Sequence, residues 1–495
     1  MDIQEVRVMK ITEDMLTEQQ KSCINFPMDR DLLVRGVAGS GKSLVIVNRA
    51  ILLAKKAREK GKSANIIIFT YVNTLVDYTK EIIEQGEGVS DMISVSTLDK
   101  EIVGLYRRVI GGSTQGIYDS HKSELEYISK KLHDKYPKSR FFEKGMLDFL
   151  YDEIVWMKEH MMKDLSEYEE NPRKGRGSVR VLRNDRSLIF EAYENYYDSL
   201  ENSGKPDFNV ICEALYNQRE QIDDYCKYDF VLIDEAQDLP LNKILIAKEL
   251  TRKSLTISAD FAQKIYKTGF TWKEVGINIR GQASKKLHGT HRNTKQISLL
   301  AKSLMAHNSE IKQLTEDEYI EPELPTAEGA KPVLVYEPSH LQEKRDVQDL
   351  LKQIRKEQPD MTVAVLVRDY IIKSKVGKWL REAGLEYQEI KKGYSYKVLT
   401  PGIKMVTYFS AKGLEFDIVV LPFLDNGIFP YLHDESETNK DEDTFDDIMN
   451  NARNLLYVGM TRARSMLYMF TCDGGDAEPS PLMAELDPEL MRIET

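Results

Sequence analysis

Cysteine is scarce in this chain: Cys23, Cys212, Cys226 and Cys472 are its four, scattered over 495 residues with no CxxC pair among them. That spacing excludes a cysteine-built zinc module or iron–sulfur cage, and the four read as reduced, mostly buried thiols of a cytoplasmic protein. No apolar run approaches the roughly 20 residues needed to span a bilayer, so no membrane partner is expected. The opening MDIQEVRVMK lacks the apolar stretch of a secretion signal. Low-complexity tracts are missing too, and 41% apolar with 30% charged residues is an ordinary globular balance. At this length two or three domains are expected.

Excess positive charge is also lacking, since the formal net charge is −11. Much of that is local. From Asp434 to Asp447 there are eight acids and one lysine, a net of −7, which leaves −4 for the rest of the chain. Arg173 to Arg186 holds six basic residues and one acid. Nucleic acid responds to the potential of a groove and not to a whole-chain sum, so the acidic balance does not exclude nucleic-acid binding.

What is present is a repeated alternation of short apolar runs and longer amphipathic stretches, the pattern of parallel α/β units. Strands are expected at Leu32 to Gly36, Ile66 to Thr70, Ile93 to Ser96, Phe230 to Asp234 and Leu255 to Ser258. A second set follows at Val333 to Tyr336, Thr362 to Arg368, Ile403 to Tyr408 and Asp417 to Pro422. These runs are apolar on both faces, as strands of a helix-covered sheet are. Between the first and second halves of the first set, residues 101–209 carry helical periodicity and few strand signals. The expected division is therefore 1–100 and 210–284 as the first α/β domain, 101–209 as a helical insertion, 285–475 as the second domain and 476–495 as a tail.

GVAGSGKS (Gly36 to Ser43) fits GxxxxGK[ST] and lies after a strand and at the start of a helix. Gly36, Val37, Ala38, Gly39, Ser40 and Gly41 would curl backbone N–H groups around the phosphates of ATP, with the helix N-terminus adding positive potential. Lys42 can reach the β- and γ-phosphates, and the Ser43 hydroxyl can ligate Mg²⁺. In YDFVLIDEAQDL an apolar strand ends in two acids. Asp234 can hold the Mg²⁺ shell, and Glu235 can orient or deprotonate the attacking water. Phosphoryl transfer also needs cations facing the γ-phosphate, for which Arg292 and Arg462 are candidates.

Taken with AKGLEFD and YVGMTRAR near the C-terminus, these motifs resemble superfamily 1 helicases of the UvrD/Rep/PcrA type, in order and over nearly the whole chain. The resemblance implies two RecA-like parallel-sheet domains with a helical insertion in the first, and an ATP hydrolase that moves 3′ to 5′ on single-stranded DNA. LTEQQ looks like the Q motif, in which Gln20 would read adenine. IIIFTYVNTL and VSTLDK look like the strand-contacting motifs that follow, and ADFAQKIY looks like motif III. There Gln263 would sense the γ-phosphate and Tyr266 would face nucleic acid. VTYFSAKGLEFDIVVLP and ARNLLYVGMTRAR look like motifs V and VI. Arg292 and Arg462 would then be fingers closing on ATP from the second domain, with Glu415 on the ribose.

The chain departs from the family pattern at His291, where a tyrosine usually stacks on adenine, at Phe409, where a histidine is usual, and just after Tyr266, where a tryptophan is missing. Arg292 to Thr407 spans 115 positions, room for an α/β domain but not for the large 2B domain of UvrD-like helicases. Stacking candidates for single-stranded nucleic acid are Tyr71, Tyr266, Phe270 and Trp272, with Thr97 beside them. Arg173, Lys174 and Arg176 form a Gly-interrupted basic loop suited to phosphate. Tailed duplex DNA is the expected track with RNA also open, and a partner nuclease or regulatory protein is expected to supply what the 2B domain does elsewhere. A second reading, an ATP-gated nucleic-acid- or partner-binding switch without processive unwinding, stays open.

Overall fold

Buried aliphatic strands organise the chain into two parallel sheets. The computed structural model describes residues 16–37, 39–70, 76, 79–80, 83–84, 88–115, 117, 122–171, 179–260, 272, 274–276, 283–289, 293–312, 320–321, 323–390, 400–430, 442–475 and 477–495. The first sheet holds β1 (Leu32–Gly36), β2 (Ile66–Phe69), β3 (Ile93–Ser96), β4 (Tyr228–Ile233), β5 (Thr251–Ala259) and β6 (Ser284–Leu287), in the order β3-β2-β4-β5-β1-β6. The second holds β7 (Val333–Glu337), β8 (Thr362–Val367), β9 (Tyr387–Glu389), β10 (Gly402–Thr407), β11 (Phe416–Leu421), β12 (Ala463–Cys472) and β13 (Arg492–Glu494), in the order β13-β7-β12-β11-β8-β10-β9. Every pairing in both is parallel. β1, β2 and β8 are buried along their whole length, which is why the sequence shows them as unbroken apolar runs rather than alternations.

Two expected domain limits change. β6 pairs with β1, from Leu33 against Ser284 to Gly36 against Leu287, so the first domain extends past 284. SKKL carries one apolar residue at an edge position and gives no strand signal of its own. The expected tail is also part of the second domain, because β13 pairs with β7 and Leu482, Met483 and Leu486 are buried in its core.

The insertion has a core of its own, in which the helices Lys122–Lys135, Leu147–Glu159, Leu165–Glu170 and Arg183–Ser203 bury Leu125, Leu150, Trp156, Tyr168 and Tyr196. It is tied to the helix Phe208–Asn217 by Lys158, whose ammonium lies 2.7 Å from Asp207. Asp207 also caps that helix, accepting from the Val210 N–H at 2.9 Å. The helices Leu98–Val109 and Phe208–Asn217 pack into the first-domain core, so the insertion proper lies between them.

Candidate active site

The phosphate loop leaves β1 and turns into the helix Lys42–Glu59. Gly41 sits at φ +82°, and a Cβ there would lie 2.5 Å from Gln20 Nε2. Both the left-handed backbone and the close approach require glycine at this position. Gln20 is buried, donates to the Ser40 carbonyl at 3.0 Å and completes a capping box with Thr17. Beneath it, the fully buried Arg49 donates to the carbonyls of Ile24 (3.1 Å), Phe26 (2.8 Å) and Pro27 (3.0 Å) and to Thr256 Oγ1 (3.0 Å). One guanidinium thus fastens the Gln20 segment to the phosphate-loop helix and to β5. Burial pulls it down to about 10.

Strand order places β5 between β1 and β4, so the loop, Asp260 and Asp234 meet at the carboxyl edge of one sheet. Lys42 is 6% exposed. Its three ammonium protons go to Gly36 O (3.0 Å), Val37 O (2.9 Å) and Asp260 Oδ2 (3.0 Å). A phosphate entering the loop would have to compete with Asp260 for that charge.

Asp234 is buried at the end of β4, and its Oδ1 accepts from the Ser258 hydroxyl and from the Glu235 N–H. Burial and the neighbouring Glu235 charge push its carboxyl up, against the pull of hydrogen bonds from Ser258 and Ser43 and of the Lys42 charge. The exposed Ser43 hydroxyl and this carboxylate already meet, the hard-oxygen pair that a magnesium ion prefers. Glu235 adopts φ +57°, a left-handed conformation uncommon for a non-glycine. Its Oε2 accepts from Gln237 Nε2 at 2.6 Å, and Gln237 Oε1 in turn accepts from the Asp260 N–H at 3.0 Å. Burial opposes its charge, but Lys412, Lys42, the Gln237 bond and Arg462 outweigh that and hold Glu235 down to about 2.

Two of those cations belong to the second domain. Lys412, in the loop after β10, makes a buried ion pair with Asp238, three residues beyond Glu235. Arg462 is fully buried before β12 and donates to Val458 O (3.0 Å), Leu414 O (3.3 Å) and Thr461 Oγ1 (3.3 Å). Asn293, next to Arg292 in the chain, donates to the carbonyls on either side of Arg462, those of Thr461 (3.1 Å) and Ala463. The half-buried Glu415 pairs with Arg464 Nε at 3.1 Å. Asp238, Gln237, Asp260 and Lys412 were not singled out from sequence, although all lie inside the quoted motifs. Arg49 left no signal at all in the sequence.

Among the nucleic-acid candidates, the Thr97 hydroxyl accepts from the Lys100 N–H and caps the helix Leu98–Val109. Trp272 requires a correction. It is 6% exposed and belongs to the first-domain core, so its ring offers no free face on which a base could stack. Trp272→Ala is expected to cost about 3–5 kcal/mol, read as a lowered Tm, and to leave single-strand affinity intact below that temperature. An unchanged Tm with lost affinity would restore it as a stacking residue. Ala38, Tyr71, Arg173, Lys174, Arg176, Gln263, Tyr266, Phe270, His291 and Arg292 lie outside the described residues.

Comparison with known proteins bears on the same residues. A model described as the UvrD/REP helicase N-terminal domain matches residues 16–273, and one described as the UvrD-like helicase C-terminal domain matches residues 380–474. A probable DNA helicase II homolog of Mycoplasma capricolum is 24% identical over 314 residues, covering 60% of this chain and 41% of that protein. The ATP-dependent DNA helicase Rep of Buchnera aphidicola is 23% identical over 321 residues, covering 59% and 43%. A shorter match to the ATP-dependent DNA helicase PcrA of Leuconostoc citreum is 36% identical over 96 residues, 18% of this chain and 12% of that one. The chain thus covers less than half the length of each of these relatives.

Proposed function

The chain belongs to the UvrD/Rep helicase family, and from that premise we propose that it is an ATP-driven motor that moves 3′ to 5′ along single-stranded DNA and separates a tailed duplex. The observation that carries the reading is the division of one hydrolysis site between two sheets. Glu235 and Lys42 come from the first domain, while the charges of Lys412, paired with Asp238, and of Arg462 act on the same carboxylate from the second. Any change in the cleft alters the charge around Glu235, so the chemical step and the relative position of the domains are coupled.

ATP would lie in the loop Gly36 to Ser43 with adenine at Gln20. Ser43 and Asp234 would hold Mg²⁺, which neutralises charge shared by the β- and γ-phosphate oxygens. Glu235 would accept a hydrogen bond from the attacking water and align it on the γ-phosphorus, and Lys42, Arg292 and Arg462 would answer the charge that develops as the bridging oxygen departs. Glu415 with the ribose, Gln263 at the γ-phosphate and His291 beside adenine complete the reading. On the DNA side Tyr71, Tyr266 and Thr97 would touch the strand, and Arg173, Lys174 and Arg176 the incoming duplex. A nuclease or regulatory partner would act where larger relatives use additional domains. Among the described residues no helix is long and apolar enough to cross a membrane.

Strand displacement on duplexes with a 3′ or a 5′ single-stranded tail tests the proposal. ATP-dependent displacement is expected from the 3′-tailed substrate alone. Hydrolysis stimulated by single strands, with no displacement from either tail, would overturn the motor reading in favour of an ATP-gated switch.

A further inference from the structure

The second sheet carries a cluster of groups that the hydrolysis site does not use. Ser339 caps the helix His340–Glu357, whose first turn presents His340 and Glu343. Asp425 lies just beyond the carboxyl end of β11, and Cys472 is the last residue of β12. Their donor atoms, one imidazole nitrogen, one sulfur and two carboxylate oxygens, all fall within 4.8 Å of one another. His340 Nδ1 is 3.1 Å from Cys472 Sγ, 3.1 Å from Glu343 Oε2 and 3.7 Å from Asp425 Oδ2, and the sulfur is 3.7 Å from Glu343 Oε2. Neighbouring ligands on a tetrahedral zinc ion are separated by about 3.3–3.6 Å, given bonds of ~2.0–2.3 Å.

Hydrogen bonds account for only part of this cluster. Glu343 Oε1 accepts from the Phe423 N–H at 2.7 Å, and Asp425 Oδ1 accepts from the Cys472 N–H at 2.6 Å, which orients both carboxylates. Asp425 Oδ2 is buried and accepts no hydrogen bond. A single imidazole nitrogen cannot give its one proton to sulfur and carboxylate together. The Cys472 thiol can donate to Glu343 Oε2, and Asp425 Oδ2 is still left without a donor. His340 is 42% exposed and leaves a way in, while Glu343 and Asp425 are at most 2% exposed.

We propose that His340, Glu343, Asp425 and Cys472 form a binding site for one zinc ion. A thiolate beside an imidazole and two carboxylates selects a borderline-soft cation over magnesium or calcium. The ion joins the start of one helix to the ends of β11 and β12, three segments that are otherwise far apart in sequence. It is separate from the hydrolysis site. Arg462 precedes the amino end of β12, and Cys472 lies at its other end, about 30 Å along the strand at ~3.3 Å per residue.

The test uses the full chain without a histidine tag, stripped with a chelator and titrated with Co²⁺ and then Zn²⁺. One equivalent of Co²⁺ is expected to bind with a thiolate-to-cobalt charge-transfer band and tetrahedral d–d bands, all displaced by Zn²⁺. Cys472→Ser should lose the charge-transfer band, and Asp425→Asn should weaken binding by roughly tenfold or more. His340→Ala, at a half-exposed position, should weaken binding equally while its circular dichroism matches the parent. No charge-transfer band in the parent, a band that persists in Cys472→Ser, or unchanged Zn²⁺ affinity in the folded His340→Ala variant would overturn the proposal and leave a hydrogen-bonded cluster without a metal.

Discussion

Lys42→Ala is expected to lower ATP hydrolysis by about 10³-fold or more, roughly 4 kcal/mol of transition-state stabilisation. The size follows from where the charge is held. The ammonium is nearly fully buried, and two of its three hydrogen bonds go to the loop that would wrap the phosphates, at Gly36 and Val37. In such a setting a single cation is worth far more than in water, and no solvent molecule can replace it. Alanine also removes the buried Lys42–Asp260 ion pair, so a loss of stability should accompany the loss of turnover. Turnover is therefore measured on protein shown to be folded by circular dichroism. Near-normal hydrolysis by the folded variant would mean that the phosphates lie elsewhere.

Glu235→Gln should slow hydrolysis by about 10²–10⁴-fold while ATP still binds, because the amide keeps the shape of the side chain and loses its charge. Binding is read with a fluorescent ATP analogue, and turnover as phosphate release. The pH dependence separates this carboxylate from its neighbour. Its folded value is lowered from an ordinary 4.5 to about 2, so the charge contributes stability above pH 4.5 that is lost as pH falls through about 2. The stability difference between parent and Glu235→Gln should accordingly be constant near neutrality and shrink between those two values. Asp234 is shifted the other way, chiefly by burial, so the two adjacent carboxylates have their charges favoured to opposite degrees. Free hydrolysis by Glu235→Gln would show that another base is at work.

Legibility in the sequence followed the range of the interaction. GVAGSGKS and DEAQD were readable because each is a short segment whose local backbone demands specific residues, glycine at φ +82° in one and a strand end bearing two acids in the other. The long apolar strands were readable because a sheet covered on both faces buries every residue. β6 and β13 were not, since SKKL and RIE are edge strands defined by their partners and not by their composition. Trp272 shows the same limit. An aromatic near a motif looks alike whether it is packed or presented, and only its neighbours decide.

The sequence by itself determined that two α/β units share one phosphate loop, and it named Lys42, Ser43, Asp234 and Glu235, because local geometry and spacing carry that information; Arg462 was named through the family resemblance. The tertiary structure alone decided how those residues act on one another. It joined Lys412 to Asp238 across 174 positions, tied Arg49 to the Phe26 carbonyl, and brought His340, Glu343, Asp425 and Cys472 together beyond the carboxyl ends of β11 and β12. Each of these depends on charged or polar groups being taken out of water by segments distant in the chain. That cost is visible only once the segments have packed.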